Sequence, residues 1–281
     1  MNGIVINIDP VIFQIAHFQI RWYSLIIMTA VAVGLLIAAR ALKQRGLSPE
    51  VIYSLAPWLL IGGIIGARAF HIIDQWGYYA QNPGQILQLQ LGGLAIYGAI
   101  AGGAIALIVY ARRKRISIPY FFDIMVPGLL VAQMIGRIGC IIDGDAAGAV
   151  TNLPWAFIYA HPNAMIPSAL AGLPTHPYPV YEIIWDGLSL LLLLKLRPRF
   201  AKDGLLSLSY LTLYSLGRFA LTFVREEKIV MFGLQQAQVI ALVILVASGV
   251  VLAYQSRNGL WLAGKNAGVV TENPDSGVKT T

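Results

Sequence analysis

The sequence predicts an all-α membrane protein of seven transmembrane helices, N-terminus outside and C-terminus cytoplasmic, with a small extracytoplasmic head insert. Three observations lead there. Hydrophobic residues fill 57% of the 281 positions and the mean hydropathy is +0.69, an excess that a soluble core does not need. Apolar stretches fall at about 22–40, 52–73, 92–111, 120–142, 179–196, 204–224 and 235–255, each near the ~20 residues that cross a bilayer. Basic residues gather after every second stretch.

The first stretch is followed by Arg40, Lys43 and Arg45, and the third by Arg112, Arg113, Lys114 and Arg115. Lys195, Arg197, Arg199 and Lys202 follow the fifth, Arg257 and Lys265 the seventh. The loops 74–91, 143–178 and 225–234 hold only Arg225 and Lys228. By the positive-inside rule the basic clusters face the cytoplasm. The net charge of +7 is then an orientation device, and no nucleic acid is expected. MNGIVINIDP has no basic region and no small-residue cleavage site, so no cleaved signal peptide is expected. Cys140 is alone, which leaves no disulfide.

Residues 1–263 read as one polytopic domain, and 264–281 as a disordered cytoplasmic tail, polar and without periodicity. The extracytoplasmic insert, about 143–178, is rich in proline and glycine, with short strands expected around Trp155–Tyr159. Gly62, Gly63 and Gly66, then Gly92, Gly93, Gly98, Gly102 and Gly103, suit close helix packing; local unwinding around Gly92–Gly98 is the other account.

Arginines lie inside three of these stretches: Arg68 in IIGARAF, Arg137 in GRIGCIIDGDAAG and Arg218 in YSLGRFALTF. One arginine at the bilayer centre costs roughly 2.5–3.5 kcal/mol on insertion scales. A bound anion would offset that, because guanidinium presents a planar fork of donors to phosphate and does not deprotonate. The alternating topology places all three near the outer side, with Tyr23, Tyr97, Arg225 and Glu182 at the same level. Snorkelling, or a salt bridge to Asp74, Glu182 or Glu226, is the competing account, equally open for Arg68 and Arg225. Arg137 and Arg218 are deeper and lack a carboxylate at i±4, which favours an anion. An outer-leaflet phosphate with its fatty chains in lipid fits this placement better than a soluble anion.

Other residues read more plainly. Cys140 is expected to be a small packed residue rather than a nucleophile. His17, His71, His161 and His176 have no ligand spacing, so no metal site is expected; His176, just before the fifth stretch, could reach the arginines. Asp123 is expected to partner a helix N-terminus. Trp22, Trp58, Trp76 and Trp185 look like interface anchors.

IRWYSLIIMTAVAVG, IGARAF, WGYYAQNPGQILQLQLGGLAIYGAIAGG, GRIGCIIDGDAAG, HPYPVYE and YSLGRFALTFVRE together resemble, in order and spacing, the bacterial prolipoprotein diacylglyceryl transferases. The resemblance covers roughly residues 9–255, and GRIGCIIDGDAAG stands where that family carries its signature, GRxGNFxNGExxG. It implies a multi-pass protein of the bacterial plasma (inner) membrane, without cofactor. Its activity would be transfer of the diacylglyceryl group from phosphatidylglycerol to the lipobox cysteine of a preprolipoprotein, releasing glycerol 1-phosphate. By the same resemblance Arg137 and Arg218 match essential arginines that hold the phosphate, Tyr23 and Tyr214 match functional tyrosines, and Gly148 closes the signature. Tyr97 stands where the family often has a histidine proposed as base. Arg68, Asp143, Arg225 and Glu182 complete the expected substrate-binding set.

The chain also departs from the pattern. Cys140 and Asp143 replace the signature asparagines, Asp145 replaces its glutamate, and Thr222 stands where an acidic residue usually follows the arginine of the sixth stretch. Acidic groups at 143 and 145 would either repel a phosphate or pair Arg137. Two other readings remain: a non-catalytic paralogue that binds lipid or lipoprotein, and an anion permease. The permease needs a polar path to the cytoplasm, where the inner halves of the stretches offer only Asp123.

Overall fold

A computed structural model of the chain describes residues 3–15, 18–86, 95–200, 202–225, 229–231 and 233–257. These residues are mostly helical. The predicted tail, together with His17, Gly92, Gly93, Glu226, Lys228 and Lys265, lies outside the described residues.

Strands β1 (Ile4–Ile6), β2 (Val11–Ile15) and β3 (Phe18–Arg21) lead into helices α1 (Trp22–Lys43), α2 (Glu50–Asp74) and the short α3 (Trp76–Tyr79). Helices α4 (Ile96–Arg113) and α5 (Ile118–Asp143) precede an insert with strands β4 (Phe157–Tyr159) and β5 (Pro174–Thr175). Then come α6 (Tyr178–Leu196), α7 (Leu205–Leu221), strands β6 (Ile229–Met231) and β7 (Leu234–Gln235), and α8 (Gln236–Arg257). Each predicted apolar stretch coincides with one long helix. Among the described residues α1, α2, α5 and α8 are long and apolar enough to cross a membrane. Helix α7 has only 17 residues, and α6 carries Glu182, Asp186 and Lys195 within its 19.

Glycine decides how the helices pair. Helices α2 and α4 cross antiparallel with Gly62 against Gly102 and Gly66 against Gly98. A Cβ on Gly62 would lie 2.8 Å from Gly102 O, and one on Gly66 2.8 Å from Gly102 Cα. Backbones that close exclude any side chain, and membrane helices gain van der Waals contact through such approaches. Helices α1 and α5 meet in the same way at Gly34 and Gly128, where a Cβ on Gly34 would lie 3.1 Å from Gly128 O. Gly103 has open space around it, and a Cβ on Gly63 would meet only ordinary contact, 3.7 Å from Ala99 O.

At one end of the bundle the two pairs are welded by a buried cluster of Leu42 from α1, Ile52 and Leu55 from α2, Tyr110 and Ala111 from α4, and Phe121 and Ile124 from α5. The basic residues collect there: the Arg45 guanidinium lies 4.8 Å from the Tyr120 ring centre and that of Arg113 5.1 Å from Trp58. Trp58 is thus part of this end, while Trp76 and Trp22 are exposed. Trp185 departs from the expected anchor role. Its indole covers Gly217 and donates to Leu213 O at 2.9 Å, docking α6 on α7. Asp123 caps α7 as a partner from another helix, its carboxylate accepting from Gly204 N (2.7 Å), Ser207 N (2.8 Å) and Ser207 Oγ (2.5 Å). That fills donors which an N-terminus otherwise leaves open.

At the opposite end, Gly144 at φ 79° terminates α5, its N–H bonding Cys140 O at 2.9 Å, the left-handed stop glycine favours. The insert then builds a small sheet in the order β1-β4-β5, with β1 parallel to β4 and β5 antiparallel. The strand near Trp155–Tyr159 was legible; its partner, from the first residues of the chain, was not. Two further two-stranded sheets, β2–β3 and β6–β7, qualify the all-α expectation.

Substituting valine for Gly102 drives a side chain into α2 and lowers stability by about 1–3 kcal/mol. Gly103→Val, one residue on, leaves it unchanged. Thermal unfolding of both variants in detergent distinguishes them; equal transitions would refute this account of the crossing.

Candidate active site

Glu182 is where the buried charges meet. It sits one turn into α6 and is almost fully buried. Its Oε1 accepts from Arg218 Nη1 at 2.9 Å and from the Tyr178 hydroxyl at 3.0 Å, while Arg218 Nη1 also donates to the Tyr178 hydroxyl at 2.6 Å. Its Oε2 lies 2.5 Å from Arg137 Nε, a charge contact rather than an aligned hydrogen bond. Arg137 comes from the last two turns of α5 and Arg218 from the last turn of α7. Tyr178 precedes Glu182 by four residues and so shares its helix face. The two arginines therefore converge on one carboxylate. The salt bridge to Glu182, the competing account in the sequence, is what both arginines make. The i±4 spacing offered no carboxylate because this one lies on a third helix, where it stands in for the acid missing at Thr222.

Two guanidinium cations on one carboxylate leave the triad with an excess of one positive charge. A buried charge without a partner would cost several kcal/mol, so Glu182 fixes both arginines in orientation while leaving a net field. Arg137 Nη1 is 3.6 Å from Cys140 Sγ. Its Nη2 makes no hydrogen bond among the described residues, and the side chain keeps 24% of its surface exposed.

Tyr23, Leu221 and Val224 pack around buried Cys140, Ala146 and Tyr178 beside the triad. Tyr23 lies over Gly139, where a Cβ would come within 3.0 Å of its ring. Tyr214, one turn before Arg218, stacks on Tyr210 with ring centres 5.8 Å apart. The Arg225 guanidinium covers the Tyr178 ring at 5.2 Å. Gly148 does no chemistry in this arrangement. Its N–H bonds His176 O at 3.0 Å and Ala149 N–H bonds Val224 O at 2.8 Å. A Cβ at 148 would lie 2.6 Å from Val224 O, so glycine lets the signature strap close on the end of α7.

Other expected residues are placed elsewhere. Arg68, on α2, donates to Gln85 O at 2.6 Å and Ile86 O at 2.8 Å, with its guanidinium 5.2 Å from the Tyr79 ring. It fastens the segment leading to α4. Tyr97 is in the first turn of α4, the partner of α2, and its side chain is outside the described residues. Asp143 pairs Arg21 Nη1 at 2.9 Å, not Arg137, so its acidity is compensated locally, and Asp145 is exposed. Asp74 accepts from Gln75 rather than an arginine. His176 Nδ1 meets the Tyr181 hydroxyl at 3.2 Å, and partial burial holds its imidazole below the usual range. No group of three metal-ligating side chains occurs among the described residues.

Sequence reasoning missed Tyr178, Arg21 and Asp186. Tyr178 had a signal, its i,i+4 spacing to Glu182 within HPYPVYE. Asp186, buried one turn beyond Glu182, had the same signal. Arg21 had none, since its bond to Asp143 depends on how α1 enters against α5.

The family model for prolipoprotein diacylglyceryl transferase matches residues 10–254. A phosphatidylglycerol–prolipoprotein diacylglyceryl transferase of Nostoc sp. is 37% identical, over 83% of this chain and 84% of the relative. That of Lactiplantibacillus plantarum is 33% identical over 97% of this chain and the whole relative. That of Clostridioides difficile is 33% identical over 89% and 96%. With the family pattern matched across most of its length, this chain belongs to the prolipoprotein diacylglyceryl transferase family.

Proposed function

We propose that this chain transfers the diacylglyceryl group of phosphatidylglycerol to the lipobox cysteine thiol of a preprolipoprotein, releasing glycerol 1-phosphate, the first step of bacterial lipoprotein maturation. The observation that carries this reading is the convergence of Arg137 and Arg218 on the buried Glu182, in a chain whose relatives bear the name of that transferase. Residues 1–263 are the transferase domain and all seven long helices cross the bacterial plasma membrane. The N-terminus and the insert at about 143–178 lie outside; the basic end and the tail 264–281 are cytoplasmic.

The charges support the chemistry. The thiolate attacks the glyceryl carbon, the carbon–oxygen bond to phosphate breaks and a thioether forms. The phosphodiester begins with one negative charge and the thiolate brings another, so the departing phosphomonoester carries both. Fixed guanidinium groups in a water-poor site stabilise charge that accumulates there. Arg137 offers Nη2, with Arg218 held beside it on the same carboxylate, Tyr23 and Tyr214 lining the site and Arg225 at its rim. By the family resemblance Tyr97, in the first turn of α4, is the candidate base for the thiol. A thiol of pKa near ~8.5 is mostly protonated at neutral pH and gains from the positive field. Arg68 holds the loop before Tyr97 and so acts on the site indirectly. Asp143, paired with Arg21, positions the mouth of the site.

Incubating the protein with phosphatidylglycerol and a lipobox peptide yields a thioether product detectable by mass; a folded protein that binds lipid without forming it would select the non-catalytic reading. Arg137→Ala lowers turnover by about 100–1000-fold and fails to complement a transferase-depleted bacterium. Glu182→Gln separates orientation from charge. It removes a negative group, so KM for the anionic lipid falls or holds, while turnover drops about 10–100-fold as the arginines lose their common anchor. A rise in KM with unchanged turnover would contradict the positioning role.

A further inference from the structure

The insert contains a cavity of about 500 Å³ that this chemistry does not use, lined by Tyr159, His161, Pro162, Ala164, Ile166 and Ser168, with Ala171 and Gly172 closing it. Resting on the transfer reading above, we propose that this cavity binds the polypeptide just beyond the modified cysteine, on its C-terminal side.

The first reason is an unsatisfied buried hydroxyl on a residue of the cavity wall. Tyr159 is 3% exposed, and its hydroxyl has no hydrogen-bond partner among the described residues. Burial pushes the Tyr159 phenol above its ordinary range, with the Asp145 carboxylate adding to the effect, so the hydroxyl keeps its proton. A buried group left unsatisfied costs about 1–3 kcal/mol, which a peptide carbonyl seated in the cavity would return.

The second reason is distance. Met165 N bonds Asp143 O at 2.7 Å and Arg21 joins Asp143 to Asn163 O at 2.9 Å. The cavity is therefore tied directly to the end of α5. Asp143 follows Arg137 by six residues, about 9 Å along a helix. An extended peptide advances about 3.3 Å per residue, so three or four residues beyond a cysteine at Arg137 reach this wall. The third reason is direction. The apolar part of a signal sequence precedes the cysteine and occupies the membrane, so only the following residues meet the insert. Small apolar walls beside His161 and Ser168 suit an extended segment with small side chains.

The test uses full-length protein and two lipobox peptides, one ending at the cysteine and one carrying about six further residues. The long peptide has the lower KM for the native chain. Tyr159→Phe and the cavity-filling Ala164→Leu each raise that KM by about tenfold, leaving KM for phosphatidylglycerol and the short-peptide kinetics unchanged. Equal KM for both peptides in the native chain, or equal losses on both, overturns the proposal. A photo-cross-linking residue about four positions past the cysteine attaches to residues 159–172, whether or not the thioether forms. Labelling only elsewhere overturns the site, whereas labelling there without any product sinks the transferase reading alone.

Discussion

Three helices of this bundle are held in register by one carboxylate. Glu182, on α6, takes Arg137 from α5 on one oxygen and Arg218 from α7 on the other, with the Tyr178 hydroxyl bridging the second contact. In a site removed from water, neither arginine is tolerable alone and neither escapes by losing its proton. The carboxylate lowers that penalty without cancelling the charge. A surplus positive charge thus persists at a fixed place, and Arg137 Nη2 makes no hydrogen bond among the described residues. Orientation and field come from the same contact, so the arrangement is rigid before a ligand arrives, as electrostatic stabilisation of a departing anion requires.

The rest of the structure brings those three helices to the correct depth. The glycine crossings of α2 on α4 and α1 on α5 bring backbones together that side chains would keep apart. The Asp123 cap fixes the start of α7 against α5, so that Arg218, four turns on, arrives beside Glu182. At the other end Gly148 permits the signature strap to hydrogen-bond the end of α7 and His176 before α6. Arg225, just beyond, covers Tyr178. The segment at the family signature's place is therefore a clamp. Of its acidic departures, Asp143 is neutralised by Arg21 and Asp145 is exposed.

The helical segments, their boundaries to within a few residues and the basic end were legible because hydropathy and charge are local properties of the chain. So was the need of Arg137 and Arg218 for a partner, because an arginine in an apolar run demands compensation wherever the run is placed. The pairing of Arg68 was not legible. Its partners are the backbone carbonyls of Gln85 and Ile86, and backbone acceptors leave no mark in sequence. The β1–β4 pairing escaped for a related reason, since it joins the first residues of the chain to an insert more than 150 positions later.

Sequence by itself thus determined a membrane-like helical chain, the ordered motifs of its family, and the arginines that need a buried partner. Only the tertiary structure decided that those arginines share Glu182, that Asp143 belongs to Arg21, and that Arg68 serves a loop. Composition and periodicity are set residue by residue. Which oxygen a guanidinium meets is set by the rotation and depth of whole helices, and these follow from close packing between segments far apart in the chain.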